Sequence, residues 1–377
     1  MRKICVITGT RADFGILTPV IKEIINHSEL ELSLVVTGMH LVEDYGYTIT
    51  DIRDQGFPID AEIKILESVD TGAAMARALG RAIIGFSENF EKIKPDIVLL
   101  LGDRGEMLAA AIAASHMNII TAHLHGGEIS GTIDDLTRNA ITKFSSIHLP
   151  ATKISKKNIE AMNENSERIF VVGAPGLDPI FTKDFSSKEK IVSELNIDPN
   201  NQLLIIIQHP NTFEIEESAN QIKETLEAVS ECKIQSILIY PNSDAGGKAM
   251  IDVIKEYEKL PFLRTFKSLP RDHYLGLLAI ADTLIGNSSS GIIEASALGI
   301  PVVNIGTRQN GREQAKSVLN VDYSKEKIKK AIELSLTKEY KDLALKARSP
   351  YGSGNSSKKI VKILSEIPLD RKMVEKT

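Results

Sequence analysis

Short apolar runs alternate with longer helical patterns along the chain of 377 residues, and this alternation restricts the fold more than any other feature. The runs are apolar at consecutive positions, which is typical of strands covered on both faces, as in a parallel sheet between layers of helices. Strands that alternate with helices predict doubly wound α/β domains. The strands predicted in the first half are residues 4–8, 30–37, 97–101, 119–124, 146–149 and 169–172, with a helix over about 14–26.

Gly, Pro and Asp residues interrupt the pattern near 175–183, after which it starts again. A chain of this length holds about two or three domains. We therefore expect an N-terminal Rossmann-like domain over residues 1–178, a C-terminal Rossmann-like domain over 179–350, and a C-terminal helix with a charged tail over 351–377. The strands predicted in the second half are residues 203–208, 236–240, 283–286 and 302–305, and the predicted helices include 291–298 and 325–335.

Charge, hydropathy and cysteine content exclude several classes of protein. A net charge of −5 and a pI near 6.0 give no indication of nucleic-acid binding. No apolar run approaches the roughly 18 residues of a membrane span, and the N-terminal run is too short for a secretory signal. Cys5 and Cys232 lie in apolar runs and predict buried thiols, and no group of residues has metal-ligand spacing. We expect a cytoplasmic protein that needs no metal or cofactor.

Polar motifs follow the predicted strands directly. In open α/β sheets, ligands bind beyond the carboxyl ends of the strands, so two facing sheets with such loops predict one interdomain cleft. The motifs of the first half are Gly9-Thr10-Arg11, Gly102-Asp103-Arg104 and His125-Gly126-Gly127-Glu128, and those of the second are Gln208-His209-Pro210, Pro241-Asn242-Ser243-Asp244, Gly286-Asn287-Ser288-Ser289-Ser290-Gly291 and Gly306-Thr307-Arg308.

The serine run before Gly291 predicts an anion site. Ser288, Ser289 and Ser290 open a helix, where backbone N–H groups and hydroxyls point at one place, and Glu294 lies one turn further on, suited to ribose hydroxyls. A simple helix cap is the alternative, although one serine would suffice for it. The motif is neither a Walker loop nor G-x-G-x-x-G, which argues against an ATPase or a nicotinamide enzyme.

Carboxylates concentrate after the third and fourth predicted strands. Asp103 directly follows an apolar strand, and Glu128, Asp134 and Asp135 come soon after on a Gly-rich loop. Several carboxylates in one cleft raise each other's pKa, which suits acid–base catalysis. The structural alternatives are a local ion pair for Asp103 and a helix cap for Asp134 or Asp135.

Basic residues at the same edges are candidates for phosphate binding. Arg11, Arg308 and Arg312 are suited to bidentate contacts with phosphate. His209 ends a core strand on the edge that carries the serine run, so an anion-facing role competes with a structural one.

Seven motifs, in order, resemble the hydrolysing UDP-N-acetylglucosamine 2-epimerases. The resemblance covers nearly the whole chain and implies a glycosyltransferase-B-type fold: two Rossmann-like domains with the sugar nucleotide in their cleft, a C-terminal helix that crosses back onto the first domain, and a homodimer or homotetramer. The motifs are Thr8-Gly9-Thr10-Arg11-Ala12-Asp13-Phe14, Thr37-Gly38-Met39-His40-Leu41, Gly102-Asp103-Arg104, the run from Gly126 to Asp135, Gln208-His209-Pro210, Gly286-Asn287-Ser288-Ser289 and Gly306-Thr307-Arg308-Gln309.

The resemblance also implies a reaction and roles for individual residues. The family eliminates UDP from C-1 with loss of the C-2 proton, and then hydrates the glycal to N-acetylmannosamine. Asp103 and Asp134 match family catalytic carboxylates, and His209 is expected at the diphosphate. The residues expected to hold the nucleotide are Arg11, Arg104, Ser288, Ser289, Glu294 and Arg308, and Asp13, Asn242 and Ser290 complete the predicted substrate-binding set.

Two departures from family patterns bear on the reaction. Many members carry Glu where this chain has His125, so either His125 or Glu128 completes the acid–base set. Non-hydrolysing relatives usually begin Gly-Thr-Arg-Pro-Glu and carry His-Arg-Arg-Glu in the second domain. This chain has Gly9-Thr10-Arg11-Ala12-Asp13 and His209-Pro210-Asn211-Thr212, which favours the hydrolysing branch.

Three alternatives to N-acetylglucosamine epimerisation stay open at this point. The substrate can be a UDP-linked 2,4-diacetamido-6-deoxy sugar. The chain can also be a glycosyltransferase of the same fold, or a non-catalytic sensor of sugar nucleotides.

Overall fold

The computed structural model describes residues 1–67, 71–130, 133–211, 213–242 and 244–375. The chain forms two units, each built on its own six-stranded parallel sheet. The first comprises Met1–Glu128, Ile133–Asp178 and Gly352–Thr377, and the second comprises Pro179–Tyr351 with Ile129–Thr132.

The first sheet has the strand order β3-β2-β1-β4-β5-β6, which is that of a Rossmann fold. Its strands are β1 (Arg2–Thr8), β2 (Leu30–Thr37), β3 (Ala61–Ile63), β4 (Ile97–Leu101), β5 (Ile120–Leu124) and β6 (Ile147–Leu149). The helices that accompany them are α1 (Arg11–Ile25), α2 (Ile49–Asp54), α3 (Gly72–Ile93), α4 (Gly105–His116), α5 (Ile133–Phe144) and α6 (Lys153–Ala161).

The strands of the first sheet are apolar at consecutive positions because both faces are buried. Ile4 and Val6 of β1 pack into one apolar layer, whereas Cys5 and Ile7 pack into the other. Successive side chains of a strand point to opposite faces, so a sheet covered by helices on both sides needs apolar residues throughout.

The second sheet repeats the same order, β12-β11-β10-β7-β8-β9. Its strands are β7 (Leu203–Ile207), β8 (Gln235–Ile239), β9 (Leu263–Phe266), β10 (Thr283–Gly286), β11 (Val302–Ile305) and β12 (Val318–Val321). The helices between 178 and 346 are α7 (Asp178–Thr182), α8 (Lys188–Glu194), α9 (Ser218–Cys232), α10 (Gly247–Tyr257), α11 (Arg271–Ile280), α12 (Lys325–Ser335) and α13 (Lys338–Lys346). The predicted fold class, two Rossmann-like α/β sheets, is confirmed.

Several predicted bounds were wrong. Residues 169–172 form a single bridge from Ile169 to His148 and no strand, because the neighbouring Pro150 has no N–H with which to extend a ladder. The short edge strands β3, β9 and β12 were not predicted.

Cys232, predicted as a buried thiol, is only half-buried at the end of α9. Among the described residues, no helix is both long and apolar enough to cross a membrane.

Helix α1 begins three residues earlier than predicted because Thr10 caps it. The Thr10 hydroxyl accepts a hydrogen bond from the Asp13 N–H at 3.2 Å, and the Asp13 carboxylate accepts one from the Thr10 N–H at 3.1 Å. This reciprocal pair is a capping box. The Gly9-Thr10-Arg11 motif is therefore a strand-to-helix turn whose Arg11 already belongs to the helix.

The C-terminal segment belongs to the first unit. Its helices are α14 (Ser356–Glu366) and α15 (Arg371–Glu375), and Ile360 and Leu364 of α14 share an apolar layer with Leu17 of α1. Asp178 fixes the start of α14, since its carboxylate accepts hydrogen bonds from the Ser356 N–H at 2.9 Å and the Ser357 N–H at 2.7 Å.

Replacing Asp178 is expected to loosen α14 selectively. Asp178→Ala leaves the buried N–H groups of Ser356 and Ser357 without an acceptor, which costs about 1–3 kcal/mol of the free energy of unfolding. Hydrogen exchange of the α14 amides measures the effect. Asp252→Ala is the control, because it removes only an exposed ion pair with Lys255. Equal protection of α14 in Asp178→Ala and wild type would contradict this role.

Candidate active site

A buried arginine on α5 gathers the acidic groups at the carboxyl edge of the first sheet. The Arg138 side chain is 1% exposed and forms ion pairs with Asp103, after β4, and with Asp135, at 2.5 Å. It also donates to the backbone carbonyl oxygen of Glu128 at 2.9 Å. Arg138 thus joins three segments at one point. We call Asp103, His125, Glu128, Asp135 and Arg138 the first cluster.

The charge on Arg138 is stabilised by its acidic neighbours. Burial acts against a charged guanidinium, but the charges of Asp103, Glu128 and Asp135 raise the pKa of Arg138 above its ordinary value. Arg138 is absent from the predicted set. Its one sequence signal was the spacing, three residues after Asp135, which places both on one helix face.

His125 and Glu128 contact each other within the first cluster. Nδ1 of His125 lies 2.7 Å from Oε1 of Glu128, and both side chains are buried. The backbone of His125 has φ of +61°, in the left-handed region that few residues other than glycine adopt. The two residues predicted as alternatives therefore form a pair.

The glycines of this loop are required by close packing. A Cβ on Gly126 would lie 2.9 Å from Nδ1 of His123, and one on Gly127, where φ is +77°, would lie 2.2 Å from the Ser155 carbonyl oxygen. The turn that carries His125 is thereby pressed against the sheet and α6.

His123 is a neutral structural residue beneath the first cluster. Its Nε2 lies 2.7 Å from the carbonyl oxygen of Gly102, and its Nδ1 lies 3.1 Å from the Thr142 hydroxyl. Burial lowers the pKa of His123 to about 3. An uncharged ring that donates from Nε2 to Gly102 holds the turn before Asp103 in place.

The remaining predicted residues of the first unit lie at the ends of β1 and β4 and in α5. The Asp13 carboxylate accepts hydrogen bonds from the Gly9 and Thr10 N–H groups, and burial raises the pKa of Asp13 to about 6. Arg11 forms an ion pair with Asp51. Arg104 contacts Glu106 at 2.7 Å, and Asp134 lies half-buried in the first turn of α5.

Asn287 organises the corresponding edge of the second sheet. Its side-chain oxygen accepts from the His209 N–H at 2.7 Å, and its amide donates to the His209 carbonyl oxygen at 2.8 Å. Its own carbonyl oxygen accepts from Gln309 at 2.8 Å and from Arg308 at 3.3 Å. Asn287 therefore brings His209 and Arg308 next to the serine run. We call His209, Asn242, Asn287, Arg308 and the three serines the second cluster.

The ring of His209 is oriented by Asn242. The backbone N–H of Asn242 donates to Nδ1 of His209 at 3.1 Å, so the neutral ring carries its proton on Nε2. This tautomer makes Nε2 a hydrogen-bond donor. The Asn242 side chain donates to Asp244 at 2.6 Å. Ser243, quoted in the same motif, lies outside the described residues.

The serine run opens a distorted helix. Residues Gly291–Ala295 form a π-helical turn where a regular helix was predicted, and such turns are frequent at functional sites. Ser288 accepts from the Ser290 N–H at 3.3 Å, and the Ser290 hydroxyl contacts Tyr274. Ser289 lies half-buried between them.

Glu294 contacts an arginine that was not predicted. Arg271 of α11 donates to the Glu294 carboxylate at 2.7 Å, and its guanidinium lies 5.8 Å from the centre of the Tyr274 ring. Both Glu294 and Tyr274 are buried. A bound ribose would compete with or join this ion pair, so the predicted ribose contact of Glu294 stays a prediction.

Within the described ranges, no group of three or more His, Cys, Asp and Glu side chains is arranged to hold a metal ion. The roles predicted for individual residues toward a ligand stay predictions.

Comparison with known proteins identifies relatives along the whole chain. A family model described as UDP-N-acetylglucosamine 2-epimerase matches residues 22–365. The chain is 41% identical over 376 residues to the UDP-N,N'-diacetylbacillosamine 2-epimerase (hydrolyzing) of Legionella pneumophila, covering 100% of this chain and 99% of that protein. It is 34% identical over 333 residues to the UDP-N-acetylglucosamine 2-epimerase of Neisseria meningitidis, covering 88% and 87%.

A crystal structure of UDP-GlcNAc 2-epimerase from Neisseria meningitidis bound to UDP-GlcNAc has the same fold, with a TM-score of 0.82 and 20% identity over 97% of this chain and 100% of that one. Two Rossmann-like sheets with polar loops at their carboxyl edges define an α/β protein of the glycosyltransferase-B type. Within that class, the chain belongs to the UDP-N-acetylglucosamine 2-epimerase family.

The buried neutral His123 is expected to make stability fall in acid. Between its ordinary value of 6.5 and about 3, the unfolded chain binds a proton at His123 that the folded chain does not. The free energy of unfolding should therefore decrease as the pH falls through this range, by at most about 1.4 kcal/mol per pH unit from this residue. Urea denaturation between about pH 7.5 and about pH 5 measures the slope.

His123→Gln is expected to reduce this slope, whereas His116→Gln, at an exposed position of α4, should leave it unchanged. An identical slope in His123→Gln and wild type would show that His123 is not the group responsible.

Proposed function

We propose that the protein is a hydrolysing 2-epimerase of a UDP-linked acetamido sugar. The reaction eliminates UDP from C-1 with loss of the C-2 proton and then adds water to the resulting glycal with inversion at C-2. The observation that carries the proposal is the first cluster, where Arg138 gathers Asp103 and Asp135 beside the His125–Glu128 pair. A protein that only binds a sugar nucleotide has no need for such a concentration of acid–base groups.

The chemistry of the substrate explains why acid–base groups and a phosphate site are both needed. The C-2 hydrogen is not adjacent to a carbonyl and is a poor acid. It becomes acidic only as the C-1–O bond breaks and positive charge develops on the ring. Groups that stabilise the departing diphosphate and groups that remove the proton therefore act in the same step.

The second cluster is suited to the departing diphosphate. Ser288, Ser289 and Ser290 stand at a helix start, where backbone N–H groups favour anions. His209 presents its proton on Nε2, and Arg308 adds a positive charge nearby. We assign diphosphate binding to these groups, and proton transfer to the first cluster, which includes Asp103, together with Asp134 in the first turn of α5.

The full-length similarity to the Legionella enzyme favours a UDP-linked 2,4-diacetamido-6-deoxy sugar of the diacetylbacillosamine type as the substrate. The similarity to the Neisseria enzyme supports UDP-N-acetylglucosamine, with N-acetylmannosamine as product, as the second candidate. Both sugars carry an acetamido group at C-2, so the same elimination serves either.

Incubating the protein with each sugar nucleotide in turn tests the proposal. We expect UDP release without an added acceptor, with the higher kcat/KM on the diacetamido substrate. Release that depends on an added acceptor would identify a glycosyltransferase, and binding of either nucleotide without turnover would identify a sensor. Either result would reject the proposed function.

Asp103→Asn is expected to abolish turnover while leaving nucleotide binding largely intact. The substitution removes a negative charge from the first cluster and none from the second. We expect kcat to fall at least about 100-fold, which is typical of a lost acid–base group. Kinetics of UDP release measure the loss, with Asp54→Asn on the exposed end of α2 as the control. If Asp103→Asn retains activity within about tenfold of wild type, Asp103 is not catalytic.

Ser289→Ala and Arg308→Ala are expected to weaken the binding of UDP. Each removes a donor to phosphate, and a hydrogen bond to a charged group is worth about 1.5 kcal/mol or more, hence about tenfold in Kd. Calorimetric titration with UDP measures the change. The matched controls are Ser365→Ala on α14 and Arg53→Ala, an exposed residue of α2. Unchanged UDP affinity in both test variants would remove the anion site from residues 288–308.

A further inference from the structure

We infer that His125 and Glu128 act as one unit: Glu128 orients the His125 ring, and Nε2 of His125 takes the C-2 proton of the sugar. The inference deepens the proposed function and rests on it. The sequence left open whether His125 or Glu128 completes the acid–base set. The inference gives each a different role: His125 is the catalytic residue, and Glu128 is the positioning residue.

The contact between the two side chains determines which nitrogen of His125 is the base. Nδ1 lies 2.7 Å from Oε1 of Glu128, and the two side chains are 10% and 3% exposed. An ionised carboxylate can only accept a hydrogen bond, so Nδ1 carries the proton. The neutral ring then has its lone pair on Nε2, which is the state that a general base requires.

Nε2 of His125 is buried and has no hydrogen-bond partner among the residues that the structure describes. Buried polar atoms in native proteins nearly always have a partner, and those without one call for an explanation such as a bound group. In the proposed reaction, the substrate is the partner that Nε2 of His125 lacks.

The backbone of His125 is a second, independent sign of function. Its φ of +61° lies in the left-handed region, which is less favourable for a residue that carries a Cβ than for glycine. Such strain persists where the surrounding structure imposes it and is concentrated at active sites. Here it directs an imidazole to a position where a glycine would be more favourable for the backbone.

Arg138 connects the pair to the rest of the first cluster. It donates to the Glu128 carbonyl oxygen at 2.9 Å and forms an ion pair with Asp103. One guanidinium thus fixes both the backbone of the positioning residue and the neighbouring carboxylate, which suits groups that act on adjacent atoms of one sugar.

The elimination breaks the C-2–H bond and the C-1–O bond of the sugar nucleotide. The C-2–H bond breaks, and its proton moves to Nε2 of His125. The electron pair of that bond forms the C-1–C-2 double bond, and the C-1–O bond breaks with its electron pair leaving on UDP. The imidazolium is stabilised by the Glu128 carboxylate until it returns its proton to solvent.

A double-mutant cycle tests whether the two residues act as a unit. We expect His125→Gly and Glu128→Gln each to lower kcat by about 100-fold or more with little change in KM. The double variant should be no slower than His125→Gly, because Glu128 has no task without the ring. Glu194→Gln, which removes one of the two carboxylate partners of His273 in the second unit, is the control and should leave kcat unchanged.

Rescue distinguishes chemistry from structure. Glycine suits the positive φ of residue 125, so His125→Gly removes the ring without straining the loop. Added imidazole should restore activity to His125→Gly and not to Glu128→Gln. A measurement on the unmodified protein complements the variants: ¹⁵N NMR should find His125 protonated at Nδ1 when neutral.

Two results would overturn the His125–Glu128 dyad: losses of kcat that multiply in the double variant, or a neutral His125 ring that is protonated at Nε2. In either case, UDP release by the wild type would still support the proposed function. An inactive wild type on both sugar nucleotides would instead reject the proposed function, and the dyad with it.

Discussion

The interaction between Arg138 and the acidic groups around it is the constraint on which the first cluster depends. A buried charge is stable only when it is paired, and Arg138 is paired with Asp103 and Asp135 and bonded to the Glu128 carbonyl oxygen. Removing it would leave carboxylates without their partner in a site of low dielectric. The guanidinium therefore fixes the relative positions of segments that are 35 residues apart in the chain.

In the second unit, an amide side chain rather than a guanidinium connects the loops that carry His209 and Arg308. Asn287 bonds to both backbone groups of His209, and its carbonyl oxygen accepts from Gln309 and Arg308. Most of these bonds are between neutral groups, and in the proposed reaction these loops bind the departing diphosphate. The two edges thus differ in chemistry: ion pairs with a buried guanidinium connect the first, and amide hydrogen bonds connect the second.

The sequence predicted the alternation of elements, the two sheets and the strand ends that carry polar residues, because burial on both faces of a parallel sheet leaves an unbroken apolar pattern. It did not predict the edge strands β3, β9 and β12, which are too short for a pattern, or the early start of α1, which depends on the Thr10–Asp13 capping box. Arg138 and Arg271 were missed, and the contacts of Asn287 with His209 were not predicted, for another reason. Their importance lies in contacts with residues far along the chain, which one sequence does not reveal.

In the proposed reaction, UDP leaves by elimination with loss of the C-2 proton. Proton NMR of the wild-type protein turning over its sugar nucleotide in heavy water tests it most directly. Elimination followed by hydration predicts a released amino sugar that carries deuterium at C-2 and has the inverted configuration there. A released sugar that retains its original C-2 proton and configuration would show simple cleavage of the C-1–O bond, and would contradict elimination.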